Sequence, residues 1–90
     1  MVVIVKRNLK DYDSWKQMVV DMNSVRKGYG SKGSTVYRNA EDPNEVYLVM
    51  EWDDHKSYHE YFNRPDVQKA LAETGETMFI EVGESFRLES

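Results

Sequence analysis

Two histidines, His55 and His59, stand four residues apart, an interval that on a helix turns both imidazoles to one side. A pair so placed can offer two nitrogens to a transition metal, with Glu51, Asp54 or Glu60 nearby in sequence as a third ligand. The same pair, set among charged residues beside an aromatic stripe, also reads as two solvated imidazoles, and no metal is assigned to it. The stripe itself is Tyr58, Tyr61 and Phe62. With Trp52 and Tyr47 just before it and Trp15 far upstream, it can line an apolar pocket between helices and sheet. Asn8, Tyr37, Tyr61, and His55 or His59 are the polar groups available to orient a ligand there. The competing reading is a plain core, in which each aromatic supplies bulk and a polar tip that finds a partner.

Other chemistries are excluded more firmly. With Cys 0 the 90-residue chain has no disulfide framework, no thiolate metal site and no cysteine nucleophile. It contains neither a Gly-x-Ser-x-Gly elbow nor a Walker phosphate loop. Asn8-Leu9-Lys10-Asp11 lacks the glycines that cradle a phosphate. A formal net charge of −4 has the wrong sign for a nucleic-acid partner. Lys6, Arg7 and Lys10, and likewise Arg26, Lys27 and Lys32, read as a solvated rim. No apolar run approaches the ~18–20 residues that span a bilayer, and no signal-peptide pattern opens the chain. The expected setting is cytoplasmic, with no membrane partner.

These residues need elements to position them. Met1–Leu9 opens with four consecutive aliphatics and reads as a buried strand. Asp11 or Asp13 can cap one helix, on which Trp15, Met18, Val19, Met22 and Val25 form a continuous apolar stripe closed by Gly28. After a glycine-rich turn at Tyr29–Gly33, Ser34–Glu41 reads as a second strand. Asp42-Pro43-Asn44-Glu45 then turns the chain into a third strand, Glu45–Asp53, and a hairpin. Asp53 or Asp54 caps the helix bearing the aromatic stripe. Pro65 starts a further helical turn, with Val67, Ala70 and Leu71 inward and Gly75 at its end. The last strand is expected from about Met78 to Glu89. Its even positions Met78, Ile80, Val82, Phe86 and Leu88 share one face, interrupted by Glu84. The order is β-α-β-β-α-β, the split β-α-β plan of ferredoxin-like folds, with a four-stranded antiparallel sheet in one domain spanning residues 1–90.

Helices cover one face of such a sheet, and a strand wet on its other face alternates apolar with polar residues. Val2 through Val5 and Val46 through Met50 do not alternate. Leaving four or five such side chains wet, at ~1.5–3 kcal/mol each, costs up to roughly 10 kcal/mol, comparable with a small domain's whole stability. A second copy laid against the sheet removes that cost, so a homodimer is expected. The long final strand, an edge in need of pairing, points the same way.

The element order, with Glu51-Trp52-Asp53-Asp54, Ser57-Tyr58, Tyr61, Arg64-Pro65 and Val67, resembles the dimeric α/β-barrel superfamily. Within it the chain is most similar to the antibiotic-biosynthesis-monooxygenase-like proteins. The resemblance spans essentially the whole chain and rests on short motifs. It implies a dimeric α/β barrel and oxidation without metal, flavin or other cofactor, in which a deprotonated, electron-rich phenol itself reduces dioxygen. The protein then excludes water and stabilises the developing charge. Carried onto this sequence, Asn8, Trp52 and Tyr61 are the hydrogen-bond donors and His59 the base. Trp15, Tyr37, Tyr47, His55, Tyr58 and Phe62 surround the ligand. The chain departs from the pattern at Tyr61, where many relatives carry a His. The following segment, Val67 to Glu73, lacks the axial His that a haem-degrading relative needs. The reading is therefore a small homodimer that takes a small hydrophobic or aromatic molecule, with cofactor-independent oxygenation as its enzymatic form. A non-catalytic ligand-binding or structural dimer is the alternative.

Overall fold

In the computed structural model, which describes all 90 residues, four strands form one antiparallel sheet in the order β2-β3-β1-β4. Strands β1 (Val2–Leu9) and β3 (Glu45–Trp52) are central, with β2 (Ser31–Arg38) and β4 (Gly75–Glu81) at the edges. Residues on β1 alternate strictly: Val3, Val5, Arg7 and Leu9 are buried, while Val2, Ile4, Lys6 and Asn8 are not. On β3 the buried set is Val46, Leu48, Met50 and Trp52. The register pairs Val3 with Met50, Val5 with Leu48 and Arg7 with Val46, so both buried sets share one face. Helices α1 (Tyr12–Asp21), α2 (Asn23–Gly28), α3 (His55–Phe62) and α4 (Pro65–Thr74) deliver Trp15, Tyr58, Tyr61 and Val67 onto that face and complete the core. This is the expected α+β, ferredoxin-like β-α-β-β-α-β arrangement. No helix is long and apolar enough to cross a membrane.

Four local expectations are corrected. The first helical segment is not one helix, because it breaks at Met22 into α1 and α2. Arg26 bridges the break by donating from Nη2 to the Val19 carbonyl oxygen at 2.6 Å. The left-handed turn that ends the segment is at Gly30 (φ 108°), not Gly28, which stays helical. Strand β2 accordingly runs three residues earlier than Ser34–Glu41. Ser31 already pairs with Trp52, a bulge between Ser31 and Gly33 absorbs Lys32, and Asn39 ends the strand. The Asn39 side-chain oxygen accepts from the Glu41 and Asp42 amides, a local turn that competes with the ladder.

The last strand also differs, spanning Gly75–Glu81 instead of Met78–Glu89. Its partner β1 begins at Val2, so after the Val82 amide reaches the Val2 carbonyl oxygen there is nothing further to pair with. Residues 82–90 have no regular structure, and Phe86 and Leu88 are exposed. The face away from the helices carries Ile4, Val49, Met78, Ile80, Tyr37 and Tyr47 interleaved with Lys6, Thr35 and several carboxylates. It is apolar at its centre and charged towards its margins.

Two backbone constraints hold the helices against the sheet. Gly75 (φ 155°) follows Thr74 directly, and a Cβ there would lie 2.1 Å from the Asn8 carbonyl oxygen. Gly75→Ala therefore lowers unfolding free energy by about 3 kcal/mol or more in urea titration. Gly83→Ala, where an added Cβ meets nothing within 4 Å, shifts it by less than about 0.5 kcal/mol. Helix α3 is capped by Asp54, whose side chain accepts from the Ser57 amide at 2.8 Å. That bond holds the Asp54 carboxyl below its ordinary value of 3.8. A depressed folded-state value gives stability that is present above the unfolded value and lost as pH falls through the folded one. Asp54→Ala consequently lowers the urea midpoint at neutral pH, and its difference from the parent closes progressively below pH 3.8.

Candidate functional site

Between the helices and the buried face of the sheet lies a cavity of about 470 Å³, within the range of small-molecule pockets. Val5, Leu48 and Met50 form its floor. Helices α1 and α2 close one side with Trp15, Met18, Val19 and Met22, and α3 and α4 close the other with Tyr61, Phe62, Val67 and Leu71. Of the 19 lining residues 14 are hydrophobic, so a guest must be mainly apolar. The polar contributions are few: Arg7, Arg26, Asn23, Ser34 and Asp66, besides the Tyr61 hydroxyl.

Arg7 is the unusual one. It occupies the buried phase of β1 and is only 2 % exposed. Its Nη2 donates to the Leu71 carbonyl oxygen at 3.1 Å and to Thr74 Oγ1 at 2.8 Å, and Thr74 Oγ1 in turn donates to the Ala70 carbonyl oxygen. Nε and Nη1 are buried and have no partner. No carboxylate compensates the charge, and burial lowers the Arg7 pKa from its usual value. Asp66, on the cavity wall, is already engaged. Arg64 grips it with two hydrogen bonds of 2.9 and 2.7 Å, which holds the carboxyl below the ordinary aspartate value. Arg26 spends Nη2 on the Val19 carbonyl. A cation whose Nε and Nη1 are sealed from solvent and unpartnered therefore stands in the wall of a mainly apolar space.

The structure brings together only some of the residues expected at a ligand. Trp15, Tyr61 and Phe62 line the cavity. Trp52 and Tyr58 are buried behind it, stacked into an aromatic cluster in which the Trp52 ring lies 5.5 Å from Tyr61, 5.9 Å from Phe62 and 6.3 Å from Tyr58. Trp52 Nε1 is buried without a partner, and burial next to Glu81 raises the Tyr58 pKa. Asn8, Tyr37 and Tyr47 are on the opposite face of the sheet, where Tyr47 is bonded to Glu45. One backbone step in phase puts Asn8 in solvent and Arg7 in the cavity. His55 and His59 are on the outer side of α3 and meet Glu81 of β4. That carboxylate is a different third partner from Glu51, Asp54 or Glu60.

The residue pattern does not single out Arg7, Arg26 or Asp66 as cavity groups, and both arginines, expected on a solvated rim, are instead buried. A signal for both arginines exists: Arg7 is in period-2 register with Val3, Val5 and Leu9, and Arg26 continues the Met18–Met22 stripe by four residues. Asp66 carries no such signal.

No protein-family model matches the chain, and no curated protein sequence matches it. Solved structures do. A candidate antibiotic biosynthesis monooxygenase from Deinococcus radiodurans is 17% identical over 100% of both chains, with a TM-score of 0.70. Another from Bacteroides thetaiotaomicron is 13% identical over 97% of this chain and 95% of its own, with a TM-score of 0.73. SnoaB, a cofactor-independent oxygenase from Streptomyces nogalater, is 16% identical over 93% and 94%, with a TM-score of 0.63. At such identities the likeness is one of fold alone: the chain shares the architecture of these solved proteins.

Proposed function

We propose that the chain acts as a homodimer whose helix–sheet cavity binds a small, mainly apolar molecule bearing one anionic oxygen. The observation that carries this reading is Arg7, a buried guanidinium with Nε and Nη1 unpartnered beside an apolar cavity. Each unmet buried donor costs about 1–3 kcal/mol, so a guest supplying a phenolate or carboxylate oxygen relieves a penalty already present in the free protein. An aromatic ring packs against Trp15, Tyr61 and Phe62 while its oxygen faces Arg7. In the enzymatic version, Arg7 favours the ionised form of a phenol and the apolar side chains around the ring displace water from it. The electron-rich anion then reduces dioxygen without help from a cofactor. The shared architecture with SnoaB supports this version. Two observations favour a binding protein without turnover instead. Asp66 is a weak base because of Arg64, and His59 faces away from the cavity.

Calorimetry against hydroxylated and carboxylated aromatic compounds, run beside an oxygen electrode, separates the two versions: binding with oxygen uptake marks the oxygenase, binding alone the carrier. Arg7→Met keeps similar bulk, stays within about 1 kcal/mol of the parent in stability, and weakens binding by at least about tenfold. Unchanged binding in that variant overturns the proposal. The homodimer is tested apart from the ligand. Val49, Met78 and Ile80 are 38%, 57% and 48% exposed on the open sheet face. In sedimentation at micromolar concentration the parent runs as two copies, and the Val49→Lys/Ile80→Lys double variant runs as one folded copy. A parent that sediments singly refutes the dimer.

A further inference from the structure

On the side of α3 that faces away from the cavity, three metal-ligating groups converge from two separate elements. His55 and His59 come from one face of the helix, and Glu81 is the last residue of β4. Glu81 Oε1 lies 3.0 Å from His55 Nε2 and 3.2 Å from His59 Nε2, and the three ligand atoms are all within 4.8 Å of one another. Two ligands placed tetrahedrally around zinc, each about 2.0–2.1 Å from it, stand about 3.3 Å apart. The separations to Glu81 are already close to that value. The imidazole centroids are 4.0 Å apart, and the Tyr58 ring packs against both, 6.4 Å from His55 and 4.7 Å from His59. Tyr58 is itself buried, so it backs the two rings from beneath.

We propose that His55, His59 and Glu81 form a site for a divalent transition-metal ion. Two imidazoles and one carboxylate suit zinc, cobalt, nickel or copper, whereas calcium and magnesium demand an all-oxygen shell. Three protein ligands leave the fourth tetrahedral position to water, the arrangement of an open site and not of a closed structural one. The side chains are 64%, 45% and 45% exposed, so water and ion reach the position freely. Because the ligands come from α3 and β4, a bound ion also ties the helix to the edge of the sheet. The competing explanation is a carboxylate shared between two imidazoles by hydrogen bonding alone, which predicts no metal affinity beyond that of scattered surface groups.

The experiment uses the untagged full chain, free of chelator, titrated with zinc by calorimetry and with cobalt by visible absorption. One equivalent binds per chain, the cobalt spectrum has the intensity of a four-coordinate site, and zinc raises the Tm. His55→Ala, His59→Ala and Glu81→Gln each weaken binding by about tenfold or more, and each abolishes the rise in Tm. His55 and Glu81 are exposed and His59 is half-buried, and circular dichroism verifies that the variants fold. Calcium and magnesium in place of zinc leave the Tm unchanged. Absence of stoichiometric zinc binding overturns the proposal, as does equal affinity in Glu81→Gln, which would leave only the histidine pair. None of these readouts involves the cavity or Arg7.

Discussion

Pairing of β1 with β3 decides where every other group lies. The register of Val3 on Met50, Val5 on Leu48 and Arg7 on Val46 sends one residue in two towards the helices and the next towards the open face. A shift of one residue would move Arg7 out of the cavity and put Asn8 inside it. The register is held by apolar bulk at both ends of the buried set. Trp52 and Val3 are fully buried, and Leu9 is almost so. An arginine in the third buried position of β1 is costly, and the cost is tolerated because Val3, Val5 and Leu9 on the same strand fix the phase. The place of Arg7 at the cavity is thus a product of strand register.

Two different uses of aromatic residues follow from the same frame. Trp52 and Tyr58 belong to the core, giving α3 a firm seat on the sheet, while Tyr61 and Phe62 extend from that seat into the cavity wall. The seat also orients the far side of α3. The Tyr58 ring lies between the cluster and the two imidazoles, so the packing that shapes the cavity holds His55 and His59 towards Glu81. One helix therefore carries part of the cavity wall on one side and two imidazoles on the other.

Much of this was legible in the residues, and the reasons for the rest are specific. Element order, the Asp54 cap and the burial of Trp15, Tyr58 and Tyr61 follow from periodicity and capping chemistry, which are local properties of the chain. The limits of β2 and β4 do not, because a strand ends where its partner ends, and Val2 on the neighbouring strand limits β4. Arg7 departs from expectation because arginines are usually solvated, although its phase on β1 is visible in the sequence. Glu81 lies 22 residues beyond His59, and no spacing rule connects a helix to a strand across that interval. Its meeting with the histidines is a product of tertiary folding.

Thr74 and Gly75 leave no slack between α4 and β4. The same corner is fastened to β1 and the residue beyond it three times over: by the Lys10 amide on the Thr74 carbonyl, by Arg7 on Leu71 and Thr74, and by the tight contact of Gly75 with Asn8. On the opposite wall the α1–α2 segment is interrupted at Met22, which itself lines the void. The two walls of the void are thus held in different ways: one is tied directly to β1, while the other keeps its shape across the Met22 break through the Arg26 guanidinium on the Val19 carbonyl oxygen.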